Sequence, residues 1–462
     1  MTLQPGRDPA AEEAHMPADL EDLTSRLLLA ARRAGADAAD AMAVEGQAVS
    51  IDIRAGRLEQ AERAEGTEIG LRVLIGRQQA CVSASDISDA TIAQLAERAV
   101  AMAREAPADP FAGLADPSQL ARGWDIAALD LADPAPEPDA AALEADARAA
   151  EAAAMAVPGI VQVEASAGYS FRRSHLAASN GFSGGYARTG RSTSAVAFTG
   201  EGTGMERDYA GESRIYQADL PGADGIGALA AERALARAGA VRPKTGRYPV
   251  LFDERIAASL IGHVLGAVNG AAIMRGASWL LDALGKPVLP AGLSVIEDPL
   301  RPRIAGSRPF DAEGLPTARR AIVEGGILTG WTLDLATGRK LGMASTANAS
   351  RGTSAPPSPA TSNIELTQGT ASRADLLAQM GTGLLVTSMI GSTINPTTGD
   401  YSRGAAGFWV EGGQIAYPVN ECTIADNLRE MMLRIVPAND ARMHLSTRVP
   451  SILIDGMTLA GA

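Results

Sequence analysis

The sequence predicts an α+β fold, and three observations carry that prediction. Apolar residues at helical spacing mark four segments before Pro243, and strand-like runs with Gly turns lie between them. The order helix, strands, helix occurs twice in that half. After Pro243 short strands and Gly or Pro turns dominate, without regular βαβ alternation. The expected architecture is a duplicated helix–β-meander–helix domain over residues 19–242, with a linker near 132–139, followed by a β-rich domain over 243–462.

The first helix is read from Leu20, Leu23, Leu27 and Ala34, with Gly35 as its stop. Val49, Ile51 and Ile53 alternate with Ser50, Asp52 and Arg54, which is the pattern of a half-buried strand turning at Ala55-Gly56. A second strand covers Ile69 to Ile75 and turns at Gly76-Arg77 into Ala80 to Ser83. Ile92, Leu95, Ala99 and Met102 return to helical spacing. The Pro-rich acidic run from Ala132 to Pro138 reads as a connector. Beyond it come an Ala-rich helix from Ala140 to Ala156, strands from Val161 to about Tyr216, and a helix from Gly225 to Ala238. The second half is read as a strand at Tyr248 to Phe252, an uncharged buried helix at 256–274, and short strands from Pro287 to Thr332. Further strands are expected at Leu384 to Met389, Ala405 to Val410, Gln414 to Pro418 and Ser451 to Ile454.

Composition excludes several function classes. The 462 residues carry 41 Lys+Arg against 54 Asp+Glu, a net charge of −13, which disfavours a nucleic-acid partner because phosphate binding needs clustered positive charge. The two cysteines, Cys81 and Cys422, lie far apart, so neither a zinc ribbon nor a disulfide framework is expected, and a reducing cytoplasm fits. Residues 1–18 have no apolar run and read as a disordered tail, not a signal peptide. The uncharged run from Ile256 to Met274 is long enough to span a bilayer, but Ser259, Gly262, His263, Gly266, Asn269 and Gly270 argue for a soluble core and no membrane.

Most chemical signatures are missing. His15, His175, His263 and His444 lie too far apart for HExxH, and His263 on its own reads as a buried core histidine. There is no GxSxG or GxxxxGK[ST], and neither cysteine has a neighbouring histidine. The densest polar cluster runs from Asn395 to Arg403 and precedes the small residues Gly404, Ala405, Ala406 and Gly407. Such a cluster is either a turn or a loop that binds a peptide or carboxylate through Arg403 and free amides. Asn395, Asp400, Tyr401, Ser402 and Arg403 are therefore the candidate substrate-binding residues.

Longer motifs carry a resemblance. Thr398-Gly-Asp-Tyr-Ser-Arg-Gly-Ala-Ala-Gly-Phe-Trp-Val-Glu-Gly-Gly is followed by Tyr417-Pro418-Val419 and Thr423-Ile424-Ala425-Asp426-Asn427-Leu428. These runs, with Pro309-Phe310-Asp311-Ala312-Glu313-Gly314, Gly326-Ile327-Leu328, Arg339-Lys340-Leu341-Gly342, Gly381-Thr382-Gly383 and Gly70-Leu71-Arg72-Val73, resemble the TldD/PmbA family and its PmbA (TldE) branch, from about Leu20 to the C-terminus. The resemblance implies a cytoplasmic peptidase complex in which a TldD-type subunit carries HExxxH and binds zinc through two His and a Cys, paired with a PmbA-type subunit lacking that motif. Position by position, His263 matches the second His, Ala258 stands at the first and Ser259 at the Glu. Ser446 to Pro450 supplies no Cys. The expectation is a subunit with no catalytic residue, no metal and no cofactor of its own. Its zinc would sit in an HExxxH partner, and extended peptides would bind by strand addition. The rival expectation is a peptide-binding, chaperone-like regulator without protease activity, in line with the family's label as a modulator of DNA gyrase.

Overall fold

The computed structural model describes residues 19–462, and the expected tail at 1–18 lies outside them. Helix α1 (Leu20–Ala34) starts at Asp19, whose carboxylate accepts from the amides of Glu21 and Asp22, and ends at Gly35 with φ +95°. Strands β1 (Ala38–Arg54), β2 (Arg57–Ile75) and β3 (Gln78–Ala84) form a meander closed by α2 (Asp89–Glu105). A connector with the short α3 (Ile126–Leu129) leads to α4 (Ala140–Met155), β4 (Ile160–Ala178), β5 (Ser183–Thr199), β6 (Glu206–Arg214) and α5 (Ala223–Ala236). β1 and β2 are far longer than the alternating runs suggested, and β2 begins with an exposed polar stretch from Arg57 to Gly66 before its buried run.

The two meanders form one six-stranded sheet in the order β3-β2-β1-β4-β5-β6, joined where β1 and β4 pair antiparallel. Side chains alternate between the two faces. Ala39, Ala41, Ala43, Val49, Ile51 and Ile53 all point to the face covered by α1, α2 and α4. The even-numbered Asp40 and Met42 point to the other face, which the second half of the chain covers.

The second half begins with β7 (Gly246–Phe252), α6 (Glu254–Ala267) and α7 (Gly270–Met274). The helix expected at 256–274 is thus two helices and starts two residues earlier. Asn269 ends the first by capping the second: its side chain accepts from the Ala271 amide and donates to the Pro359 carbonyl. Gly270 is required at the break, since a Cβ there would press on Leu333, Thr337 and the Thr332 carbonyl. Nor is α6 buried all round: Ala257, Leu260, Ile261 and Val264 face the core, while Gly262 and Gly266 are exposed. It lacks charge on its open face because that face is built of small residues.

A small sheet follows from β8 (Val295–Glu297), β9 (Arg320–Glu324) and β10 (Ile327–Leu328), then α8 (Leu335–Leu341), the two-residue pair β11 (Ala349–Ser350) and β12 (Ser358–Pro359), β13 (Ile364–Leu366) and α9 (Arg373–Met380). The remaining elements are β14 (Gly383–Ile394), β15 (Asp400–Glu411), β16 (Gln414–Asn427), α10 (Leu428–Met432), β17 (Val436–Pro437), β18 (Thr447–Arg448) and β19 (Ile452–Ala460). The larger sheet runs β16-β15-β14-β7-β19-β17, and a further pairing of β16 with β19 closes five of its strands into a ring. Val250 and Phe252 face one core, with Leu260, Val264 and Tyr401, while Leu251 faces the other, with Leu376 and Leu385. Burial on both faces explains why β7 reads as a continuous apolar run. This β-rich second half, with the mixed first half, is the α+β class the sequence implied.

Candidate functional site

Helix α6 presents the position singled out as a residual motif. Asp253 caps it by accepting from the Arg255 amide, and Arg255 in turn pairs with Asp253 and Asp208, each at 3.1 Å. Ser259 turns its hydroxyl back to donate to the Ile256 carbonyl at 2.7 Å. One turn on, the His263 ring stands edge-on to Tyr401, 5.8 Å between centroids. Its Nε2 is buried without a hydrogen-bond partner among the described residues. Burial, then the charge of Arg403, lowers its pKa from the ordinary value, so the ring is neutral at pH 7. Burial likewise pushes the Tyr401 phenol up to about 12, and its hydroxyl donates to Met389 Sδ at 3.3 Å.

The polar cluster expected as a loop is a hairpin. Only residues 395–399 turn, and Asp400, Tyr401, Ser402 and Arg403 are the first residues of β15, paired with β14 and β16. Asn395 holds the turn, since its side-chain oxygen accepts from the amides of Thr397 and Thr398. Asp400 accepts from the Thr398 hydroxyl at 2.7 Å and from Asn427 at 3.1 Å, and these bonds depress its pKa. Strand alternation divides the rest. Tyr401 and Arg403 lie on the α6 side with His263, and Asp400 and Ser402 on the other. Arg403 therefore does not close a turn with Asp400; its Nε donates to the Gly391 carbonyl at 2.7 Å. The structure brings together His263, Tyr401 and Arg403, and keeps apart from them Asn395 in the turn and Asp400 and Ser402 on the opposite face of β15.

The donor set on α6 does not fit zinc. Zinc takes several His, Cys or carboxylate ligands. Here Ala258 and Ser259 precede a lone imidazole whose ring packs against Tyr401. The C-terminal stretch is engaged elsewhere: Ser446 accepts from the Gly306 amide at 3.0 Å, and Arg448 reaches Glu365 at 3.5 Å. No step through a metal follows from these residues.

Sequence reasoning missed a second cluster, buried between the two halves. Asp40 and Arg72, neighbours across β1 and β2, pair at 2.5 Å, each 4% exposed. Arg351, just after β11, completes the group through its own ion pair with Asp40. Thr353 donates to Glu68 at 2.5 Å, and Gly70 must be Gly because a Cβ would overlap the Thr353 backbone. Asp311 accepts from the amides of Glu313, Leu315 and Ala349. Glu313 accepts from the Leu335 amide at 2.8 Å, while burial, with the Asp311 charge second, pushes its pKa up to about 8. Arg339 donates to the carbonyls of Phe111, Gly113 and Leu114. The one signal for this cluster lay in the runs Gly70 to Val73, Pro309 to Gly314 and Arg339 to Gly342, whose charged residues face each other only in the folded chain.

Comparisons with known proteins match nearly the whole chain. Domain models described as PmbA/TldA metallopeptidase domain 1, central domain and C-terminal domain match residues 39–103, 133–238 and 245–461. The chain is 37% identical to Metalloprotease PmbA of Escherichia coli O157:H7, over 92% of each chain. It is 34% identical to a PmbA homolog of Haemophilus influenzae, over 99% of this chain and all of that one. A crystal structure from Bacteroides thetaiotaomicron, assigned as a modulator of a DNA gyrase, superposes with TM-score 0.90 at 26% identity, covering 97% of this chain and 100% of that one. TldE from Thermococcus kodakarensis shares the fold, with TM-score 0.82 at 18% identity over 95% of this chain and 100% of its own.

Proposed function

The chain belongs to the PmbA/TldD metallopeptidase family, and from that premise we propose that it is the non-catalytic, PmbA/TldE-type subunit of a cytoplasmic TldD–TldE complex that degrades or processes peptides and unfolded proteins. One observation carries the reading. The α6 positions that would hold the two histidines and the glutamate of HExxxH offer Ala258, Ser259 and a single neutral imidazole packed on Tyr401. In this reading zinc and water activation belong to an HExxxH partner. This chain supplies a wall of the chamber, with Arg403 and Tyr401 beside α6. The exposed Ile390, next to Gly391 and 75% accessible, supplies apolar surface for partner or peptide. β15 is paired along both of its edges, with β14 and β16. Strand addition of an extended peptide would therefore use the outer strands β3 or β6 of the first sheet.

The test is co-expression with an HExxxH homologue, followed by assay of co-purification, zinc content and peptide cleavage. The expected result is a one-to-one complex that cleaves, while this chain alone neither cleaves nor retains stoichiometric zinc. Within the paired complex, Arg403→Ala should assemble normally and slow cleavage, since a charged hydrogen bond is worth roughly 1.5–3 kcal/mol. One tightly held zinc per isolated chain, with cleavage, would overturn the reading. The second reading, a peptide-binding regulator without protease activity, draws on the gyrase-modulator assignment of the Bacteroides structure. Peptide binding by the isolated chain, with no complex formed, would favour it.

A further inference from the structure

A cavity of about 210 Å³ lies between the helix-free face of the first sheet and the loops of the second half. Its sheet wall follows from strand register alone. β4 and β5 pair Arg172 with Arg188, Ser174 with Tyr186 and Leu176 with Gly184, all on one face. Like charges directly opposite each other on a sheet are destabilising, yet the loops add two more guanidinium groups, Arg308 and Arg351.

The carboxylates nearby answer this charge only in part. Asp311, the acidic residue on the cavity wall, is already held by three backbone amides. Asp40 is shared between Arg72 and Arg351. The Arg351 side chain is fully buried, and its Nη2 has no hydrogen-bond partner among the described residues. Arg188 gives one bond to the Ser307 carbonyl and keeps a buried Nε unpartnered. Arg188 also has its pKa lowered, first by burial and then by the charges of Arg172 and Arg308. Buried polar atoms are nearly always satisfied, so a guanidinium donor left over at a cavity wall marks the place of an absent acceptor. Beside the arginines stand Met42, Tyr186 and Phe310, with Tyr186 and Phe310 edge to face at 5.7 Å.

We propose that this cavity binds an oxyanion, a phosphate or the carboxylate of a small organic molecule, through Arg172, Arg188 and the unpartnered Nη2 of Arg351. Arginine forks match both groups bidentately. The apolar wall would receive the organic part of a carboxylate ligand. The site is separate from the α6 cluster and does not depend on peptide processing.

Titration calorimetry on the isolated full chain tests it with three probes: inorganic phosphate, an N-acetyl dipeptide ending in Phe as the free acid, and its C-terminal amide. Saturable binding of phosphate, of the acid but not the amide, or of both, supports the proposal and identifies the source. The Arg172 side chain is exposed and makes no hydrogen bond or ion pair among the described residues. Arg172→Gln should therefore fold with an unchanged melting temperature and bind about tenfold more weakly or worse, as expected for losing a charge-assisted bond. Arg351→Gln should weaken binding too, and if it does not fold, Arg172→Gln decides alone. No saturable binding of phosphate or the free acid, equal binding of acid and amide without phosphate binding, or an unchanged affinity in folded Arg172→Gln would overturn the proposal.

Discussion

The polar groups buried between the two halves and those gathered under α6 differ in how fully they answer one another. Between the halves, Asp40 meets two arginines, Asp311 meets three amides and Thr353 reaches Glu68. Under α6, His263 has a buried nitrogen without a partner, and Tyr401 donates only to a thioether. The first cluster joins two sequence-distant parts of the chain, and Asp40, Asp311 and Glu68 there each have a structural counterpart. The second rests on one helix and one hairpin, and its buried rings, His263 and Tyr401, are neutral and are spared that requirement. Damage to the first should therefore destabilise the whole chain, and changes in the second should be tolerated.

The largest effect should come from Arg72→Met, which leaves Asp40 with one partner in a buried site. Removing one member of a buried pair costs about 3–5 kcal/mol, measurable as a lower midpoint in urea. An unchanged midpoint would mean that the contact between the halves does not depend on this pair. Next comes Gly70→Ala. Its Cβ would overlap the Thr353 backbone, and overpacking of this kind costs roughly 1–3 kcal/mol. Limited proteolysis should then cut near Thr353 earlier than in the native chain.

Glu313 sharpens the comparison through pH. Its folded pKa of about 8 lies above the ordinary value of 4.5, so between those values the folded chain holds a proton that the unfolded chain has released. Stability from this group is full below the unfolded value and declines as pH rises toward 8, by at most about 1.4 kcal/mol per pH unit. Glu313→Gln should flatten that decline relative to the native chain in melts from pH 5 to 8. Parallel curves would show that Glu313 is ionised in the folded state. The smallest effect belongs to His263→Phe. The ring is neutral and its Nε2 unpartnered, so an apolar ring of similar shape should shift stability by under about 1 kcal/mol. A large loss of melting temperature would show that His263 has a polar role that the contrast denies it.

The repeated helix–strands–helix order was legible because it rests on local periodicity and caps. Leu20, Leu23 and Leu27 meet the sheet as their spacing requires, and Asp19 and Gly35 bound the helix as their side chains dictate. The break at Asn269 was visible as residue types but not as an event, because what stops the helix is Asn269 reaching Pro359, 90 residues away. The candidate run from Asn395 to Arg403 was correctly seen as polar. Its division into turn and strand came from pairing with Asn427 and Asp426, which no local pattern announces.

Family likeness, the absence of a zinc donor set on α6 and the acidic balance follow from residue identity alone, since chemistry that needs a missing side chain cannot be restored by folding. Location is different. Arg172 and Arg188 become neighbours through strand register, and Arg351 joins them from 163 positions beyond Arg188. Gly70 and Thr353 come into contact only because one sheet packs its helix-free face on the other half. Side-chain alternation has a period of two, so a one-residue slip would send each of these groups to the opposite face. Local sequence gives that period, and long-range pairing chooses its phase.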